Sequence, residues 1–520
     1  MIAIIGGGFA GIYSLKYCIQ EGLSCKLFET SDDIGGVWKY SKDTPGGVLE
    51  NTFTSSSLHF LHPTDFPFPK NTSEFPHHSI VLKHLKNYCK HFNLYKHIQF
   101  NTKIERIVKD GKRWLLSFNN TQEEFDKIIV CTGIHQSPSP IPKIFKRFRN
   151  RENVIHSHYY EQNKEKFIGK RVLVIGGGET ANDIANELAP ICGKLYMSIR
   201  NGQWFQGKWV GANEPADLYL NKYMTSIWNP VFRDWVGFIN QYLWGKGGTG
   251  VKEWKPTVPY NHSFFTKGRE CVDWISKGKL TPCSKVTHIK DDLIFFKDKN
   301  ISVDYIILCT GYNNKHLDSM FVNKEHLADR FKLIFHPDDH SLSFCGFVRP
   351  TLGSLPMLAE LQARYISRVF SQKKFIPSNI HETIATDKEF HDESFPNQKK
   401  RLSYLVYYYI YCDQIAKLIG CKPNLFKTFF QDPKLWVKLF LNPWSPFHYT
   451  IHSDNERTKA ISEHMLNELH ISRSASKLRL AAIVATLFAI VLVLSLVVPS
   501  SLFFLLPVIS FFVFIYCINQ

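Results

Sequence analysis

Residues Ile2–Gly11 read IAIIGGGFAG, and this stretch decides the fold. Ile2–Ile5 is a short apolar run, as expected of a strand buried on both faces of a parallel sheet. It enters a glycine cluster with Gly6, Gly8 and Gly11 at the spacing G-x-G-x-x-G, and Gly7, Phe9 and Ala10 between them. Gly6 permits the tight turn, Gly8 lets a pyrophosphate approach the backbone, and Gly11 lets strand and helix pack closely. Ile12, Leu15 and Ile19 follow at helical spacing. The free N–H groups of that helix start suit a phosphate. A second strand, Cys25–Phe28, ends at Glu29. A carboxylate there accepts both hydroxyls of an unphosphorylated ribose, as in FAD or NAD.

The pattern recurs. VLVIGGGETA spans Val172–Ala181, with Gly176, Gly178 and Ala181 in the three fingerprint positions. Its second strand, Leu195–Ile199, ends at Arg200 where the first unit has an acid. A guanidinium grips a 2′-phosphate bidentately, so the contrast predicts one FAD site and one NADPH site. FDKIIVCTG (Phe125–Gly133) and VDYIILCTGY (Val303–Tyr312) share a signature, a buried strand ending in Thr-Gly. They are read as the exit from the first domain and the return to it. The expected fold is therefore α/β, two Rossmann-like domains with the NADPH unit inserted into the FAD unit, plus a C-terminal hydrophobic membrane anchor. The predicted divisions are 1–155 for the first part of the FAD domain, 156–303 for the NADPH domain with an aromatic-rich insertion, 304–477 for the second FAD part, and 478–520 for the anchor.

Composition agrees. The 520 residues are 44% hydrophobic and 21% charged, which excludes a disordered or fibrous chain. The net charge of +17 favours anionic partners: phosphorylated cofactors or an acidic membrane. Nucleic acid is disfavoured, because the basic residues are dispersed and no zinc-finger or RNA-binding signature occurs. The 12 cysteines form no CxxC, so neither a disulfide scaffold, a Cys-ligated metal nor a dithiol reductase is expected. Met1–Ile5 lacks the basic region and length of a signal peptide. Leu480–Gln520 contains no charged residue, and Leu480–Val498 has the length of one bilayer crossing. Arg473, Lys477 and Arg479 precede it, which would leave the main body in the cytosol. Pro499 and Pro507 interrupt the rest, leaving a single span or a hairpin open.

The sequence resembles the flavin-containing monooxygenases, the membrane-anchored dimethylaniline monooxygenase type, over nearly its whole length. The resemblance rests on both glycine motifs, FETSDDIGGVWKY (Phe28–Tyr40), DFPFP (Asp65–Pro69), HSHYY (His156–Tyr160), LGSLPMLAELQARY (Leu352–Tyr365) and the apolar tail. It implies that Gly6–Ala10, Glu29, Val37 and Trp38 contact FAD. Thr180, Ala181, Asn182, Asp183 and Arg200 would contact NADPH. Thr54 and Ser55 would lie where the cofactors meet. Many members carry asparagine and lysine where an ungapped alignment on DFPFP places Ser55 and Leu58.

The resemblance further implies an NADPH- and O2-dependent oxygenation of small lipophilic amines and thioethers through a flavin C4a-hydroperoxide, in a protein anchored in the endoplasmic reticulum membrane. Baeyer–Villiger ketone oxygenation, an uncoupled NADPH oxidase and a catalytically silent nucleotide-binding scaffold remain as alternatives. No metal is expected, and a homo-oligomer is left open.

Overall fold

A computed structural model describes residues 1–210, 214–219, 250–258, 262–327, 329–396 and 403–468. The expected anchor, and much of the aromatic-rich stretch from Trp204 to Trp254, lie outside the described residues. Among those described, no helix is long and apolar enough to cross a membrane.

Two five-stranded parallel sheets carry the architecture. The first runs Leu342–Phe344, Lys127–Val130, Ile2–Ile5, Cys25–Phe28, Ile98–Gln99 across its width. The second runs Leu280–Cys283, Lys194–Ser198, Arg171–Ile175, Tyr305–Leu308, Val154–His156. Both central strands are buried on two faces, which explains their unbroken apolar reading. Ile2 and Ile4 pack with the helices, while Ala3 and Ile5 pack against a three-stranded meander over residues 106–125. The second unit repeats the plan: Val172 and Val174 face one cluster and Leu173 another, beside a meander over residues 288–302.

The duplication corrects one expectation. Tyr305–Leu308 does not return to the first sheet; it pairs with Arg171–Ile175 and with Val154–His156. The strand that rejoins the first sheet is Leu342–Phe344, beside Lys127–Val130. The second sheet thus takes its strands from Val154 through Leu308. The chain crosses between the units twice. The crossing segments meet as a short antiparallel pair, with Tyr312 opposite Pro138 and Asn313 opposite Ser137.

Behind the first glycine turn, the helix Phe9–Gln20 packs on Leu355–Phe370. A buried polar network joins them. Lys16 pairs with Asp65 of the DFPFP segment, both almost fully buried. Tyr17 donates to Glu360 Oε1 at 2.6 Å, and the hydroxyl of Thr64 donates to the same oxygen. Gln362 accepts from Gly346 N at 2.8 Å and donates to Tyr411 at 2.7 Å. The ELQAR segment therefore locks the glycine helix from behind. His78 is buried, with its ring nitrogen 3.1 Å from Glu50 O.

Candidate functional site

The two glycine turns are built alike. Gly6 has φ +108°, and a Cβ there would lie 2.7 Å from Cys131 O. Gly176 has φ +138°, and its Cβ would lie 2.5 Å from Cys309 O. Only glycine tolerates that backbone and that approach together. Each turn is tied to its neighbours by the same bonds. Gly6 N donates to Phe28 O at 2.8 Å, and Gly176 N to Ser198 O at 3.0 Å. Cys131 N donates to Ile5 O, and Cys309 N to Ile175 O, both at 2.8 Å. The helices that follow start at Gly8 and Gly178 with no side-chain cap, so their first N–H groups remain available to phosphate.

One cavity of about 2270 Å³ opens onto both turns. Its wall includes Gly6–Ala10, Glu29, Val37 and Trp38 from the first unit, and Gly176–Ala181, Asp183 and Arg200 from the second. Thr54 and Ser55 line it too. The volume and the donor set suit two dinucleotides. The carboxylate of Glu29 is fixed by Gly7 N at 2.5 Å and Ser31 N at 2.8 Å. Each of its oxygens keeps a further lone pair for a ribose hydroxyl. The single-turn helix Gly36–Trp38 lies over the first glycine turn, and a Cβ on Gly36 would meet Gly8 Cα at 3.1 Å. Thr54 is buried, and its hydroxyl has no hydrogen-bond partner among the described residues. A buried hydroxyl is normally satisfied, so a bound group completes it.

One expected contact falls elsewhere. Asn182 is buried behind the second turn, where its amide donates to Glu270 Oε2 at 2.6 Å and accepts from Cys271 N at 3.1 Å. It clamps the following helix and does not line the cavity. Gly11 also lies off the wall; its Cβ would sit 1.8 Å from Gly6 O, so it serves the strand–helix approach.

The structure also supplies residues that no local motif marked. Leu58 is buried against Leu61 and Phe68 and does not itself line the cavity. A cation arrives from another segment: Lys267 Nζ lies 3.3 Å from Ser56 Oγ and 3.2 Å from Gly353 O. Burial pulls its pKa below the ordinary lysine range, opposed by the charges of Glu179 and Asp217. Lys208 and Arg349 line the same cavity, and Arg349 lies 3.7 Å from Glu179. Burial pushes the carboxyl of Asp183 up to about 7, against the pull of Lys208. Where the crossings meet, Tyr312 is ringed by His135, His156 and His158, with centroids at 5.3, 5.6 and 5.8 Å. Burial lowers His135 to about 3 and His156 to about 4, so both are neutral near pH 7. Among the described residues no His/Cys/Asp/Glu group could hold a metal ion.

Known proteins share this plan. A 4-hydroxybenzoate brominase (decarboxylating) of Marinomonas mediterranea is 30% identical over 499 residues, 91% of this chain and 93% of its own. Flavin-containing monooxygenase 2 of Homo sapiens is 29% identical over 480 residues, 86% and 88% of the two chains. The solved S-allyl-L-cysteine S-oxygenase of Allium sativum superposes with a TM-score of 0.59 at 20% identity, covering 90% of this chain and 98% of that one, a likeness of fold. The description "Flavin-binding monooxygenase-like" matches residues 1–506. With a duplicated glycine turn, a shared cavity and that near-complete match, the chain belongs to the flavin-binding monooxygenase-like family.

Proposed function

We propose that this protein uses FAD and NADPH to place one atom of O2 on a small soft nucleophile, a tertiary amine or a thioether, and releases the other atom as water. One observation carries the reading: a single cavity joins an acid-tuned glycine turn to a guanidinium-tuned one. When bound, the flavin supplies O2 activation and the nicotinamide supplies the hydride.

The chain's own residues do the rest. Glu29 orients one ribose through a carboxylate already held by two backbone N–H groups. Arg200 offers a bidentate donor fork to a 2′-phosphate. Val37 and Trp38 give a flat ring an apolar wall. The hydroxyls of Thr54 and Ser55 hydrogen-bond at the junction, and Lys267 brings positive charge within reach of it. Bound cofactors filling the cavity would limit water there, which protects a reactive oxygen donor from wasteful breakdown.

A second reading is oxygen transfer to bromide, which would then brominate a phenol. It is favoured by the brominase relative and by Lys208, Lys267 and Arg349 on the cavity wall, which suit an anion.

The test is product analysis. Purified yellow protein, NADPH and O2 are mixed in turn with a tertiary amine, a thioether, a ketone, and a hydroxybenzoate plus bromide. N-oxide or sulfoxide stoichiometric with NADPH supports the proposal. Bromophenol supports the second reading, and lactone or ester would replace both with ketone oxygenation. NADPH consumed to hydrogen peroxide alone in every mixture marks an oxidase. No consumption at all marks a scaffold.

A further inference from the structure

An aromatic ridge lies far in sequence from the cofactor turns. The segment Leu425–Leu441 forms two short helices, Leu425–Gln431 and Pro433–Leu441, started by the side chains of Asn424 and Asp432. Asn424 accepts from Lys427 N at 3.0 Å, and Asp432 from Leu435 N at 2.9 Å. The inward face is apolar: Leu439 is buried, and Leu425 and Leu435 pack against it with Phe447, Ile451 and Leu466. The outward face is apolar as well. Phe426 is 78% exposed, Phe430 69% and Phe429 43%. Their rings meet edge to face along the ridge as far as Trp436, which stacks on Phe440, with centroids 4.8–5.2 Å apart from one ring to the next. A helix pair apolar on both faces needs a second apolar partner.

Charge and chain path say what that partner is. Lys427 and Lys434 flank the rings, exposed and without an ion pair among the described residues. Aromatic rings bordered by lysines match the apolar-to-polar gradient at a bilayer surface, where rings sit at headgroup level and ammonium groups reach out to phosphate. The helix Glu456–Glu468 packs beside the pair, and Lys438 Nζ donates to Asn467 Oδ1 at 2.6 Å. From there the sequence runs within about a dozen residues into Leu480–Ile518, which holds no charged residue. The ridge therefore belongs to the helix pair that packs against the last described helix, from which the sequence leads into that apolar segment. The same lysines, in a chain of net charge +17, oppose a second copy docking there.

We propose that the Phe426–Phe429–Phe430 ridge is a membrane-contacting surface that seats in the headgroup layer of an anionic bilayer and holds the catalytic body against it. The reading is independent of which substrate is oxygenated.

The full-length protein is reconstituted into vesicles of phosphatidylcholine, with and without phosphatidylserine, and also made with acyl chains brominated near the headgroup. Phe430→Trp adds a reporter at the ridge, and Ile168→Trp adds one on the exposed surface of the second unit. Retained flavin colour confirms that both fold, and the parent's tryptophan signal is subtracted. The expected result is that brominated lipid removes more than half of the Phe430→Trp increment while aqueous iodide removes little, and that Ile168→Trp behaves in the opposite way. Quenching should strengthen with phosphatidylserine. An increment from Phe430→Trp that iodide reaches would overturn the proposal. So would one shielded from both quenchers, which would assign the ridge to a second copy or to the chain's own apolar tail.

Discussion

Ile199 occupies in the second unit the place that Glu29 holds in the first, and Arg200 follows it by one residue; on the proposed reading the choice of cofactor rests on Glu29 and Arg200. Arg200 is exposed at the cavity wall, and no ion pair holds it among the described residues. Removing a charge-assisted contact costs about 1.5–3 kcal/mol, so Arg200→Ala should raise the KM for NADPH by roughly 10–100-fold. The KM for NADH should stay unchanged, and steady-state kinetics with both nucleotides checks it. Asp183 yields a pH effect. Its carboxyl titrates at about 7 because burial disfavours the charged form. Below that pH it would be neutral toward a phosphate held at the second glycine turn; above it a carboxylate would repel one. The KM for NADPH should therefore climb as pH passes through about 7, and Asp183→Asn should flatten the climb. An unchanged profile in that variant would remove Asp183 from the phosphate environment. Residue types in local motifs were legible in the sequence, and Lys267 was not. Its neighbours Ser56 and Gly353 are far along the chain, so no short pattern could place an ammonium group there.

At the level of elements, strand, glycine turn and helix are specified by adjacent residues, which is why both fingerprints were readable. Sheet membership is not specified that way. KIIV at Lys127–Val130 and YIIL at Tyr305–Leu308 are equally apolar, yet they join different sheets. The choice is made by pairing across long sequence separations, which periodicity does not encode. Asn182 shows the same limit within one helix: its position in the first turn reads as a phosphate contact, but that side of the helix meets Glu270. The glycine helix Phe9–Gln20 and the DFPFP segment make a stability prediction. Lys16 and Asp65 form a buried pair behind the first glycine turn. Breaking a buried pair from one side costs about 3–5 kcal/mol, because the other charge is left unpaired. Asp65→Asn should lower the urea midpoint and the retention of flavin together, and Lys16→Met with Asp65→Leu should recover much of the loss. A single variant as stable as the parent would show that the pair is not needed to hold the helix.

For the molecule as a whole, the charge of +17 acts at a distance on an anionic nucleotide. The Debye length shrinks from ~30 Å at about 0.01 M salt to ~10 Å at about 0.1 M. The second-order rate of flavin reduction at limiting NADPH should therefore fall as salt is added, while the rate at saturating NADPH stays level; stopped-flow absorbance separates the two. A flat response at limiting NADPH would mean that dispersed charges do not guide encounter.

The paired crossings carry a last consequence. Because Ser137–Pro138 lies against Tyr312–Asn313, the two ends of the intervening polypeptide are neighbours in space. That stretch is a cassette with adjoining ends. A gene segment encoding a nicotinamide module of different preference could be exchanged at those two joints, leaving the host sheet, its meander and the rear helix untouched.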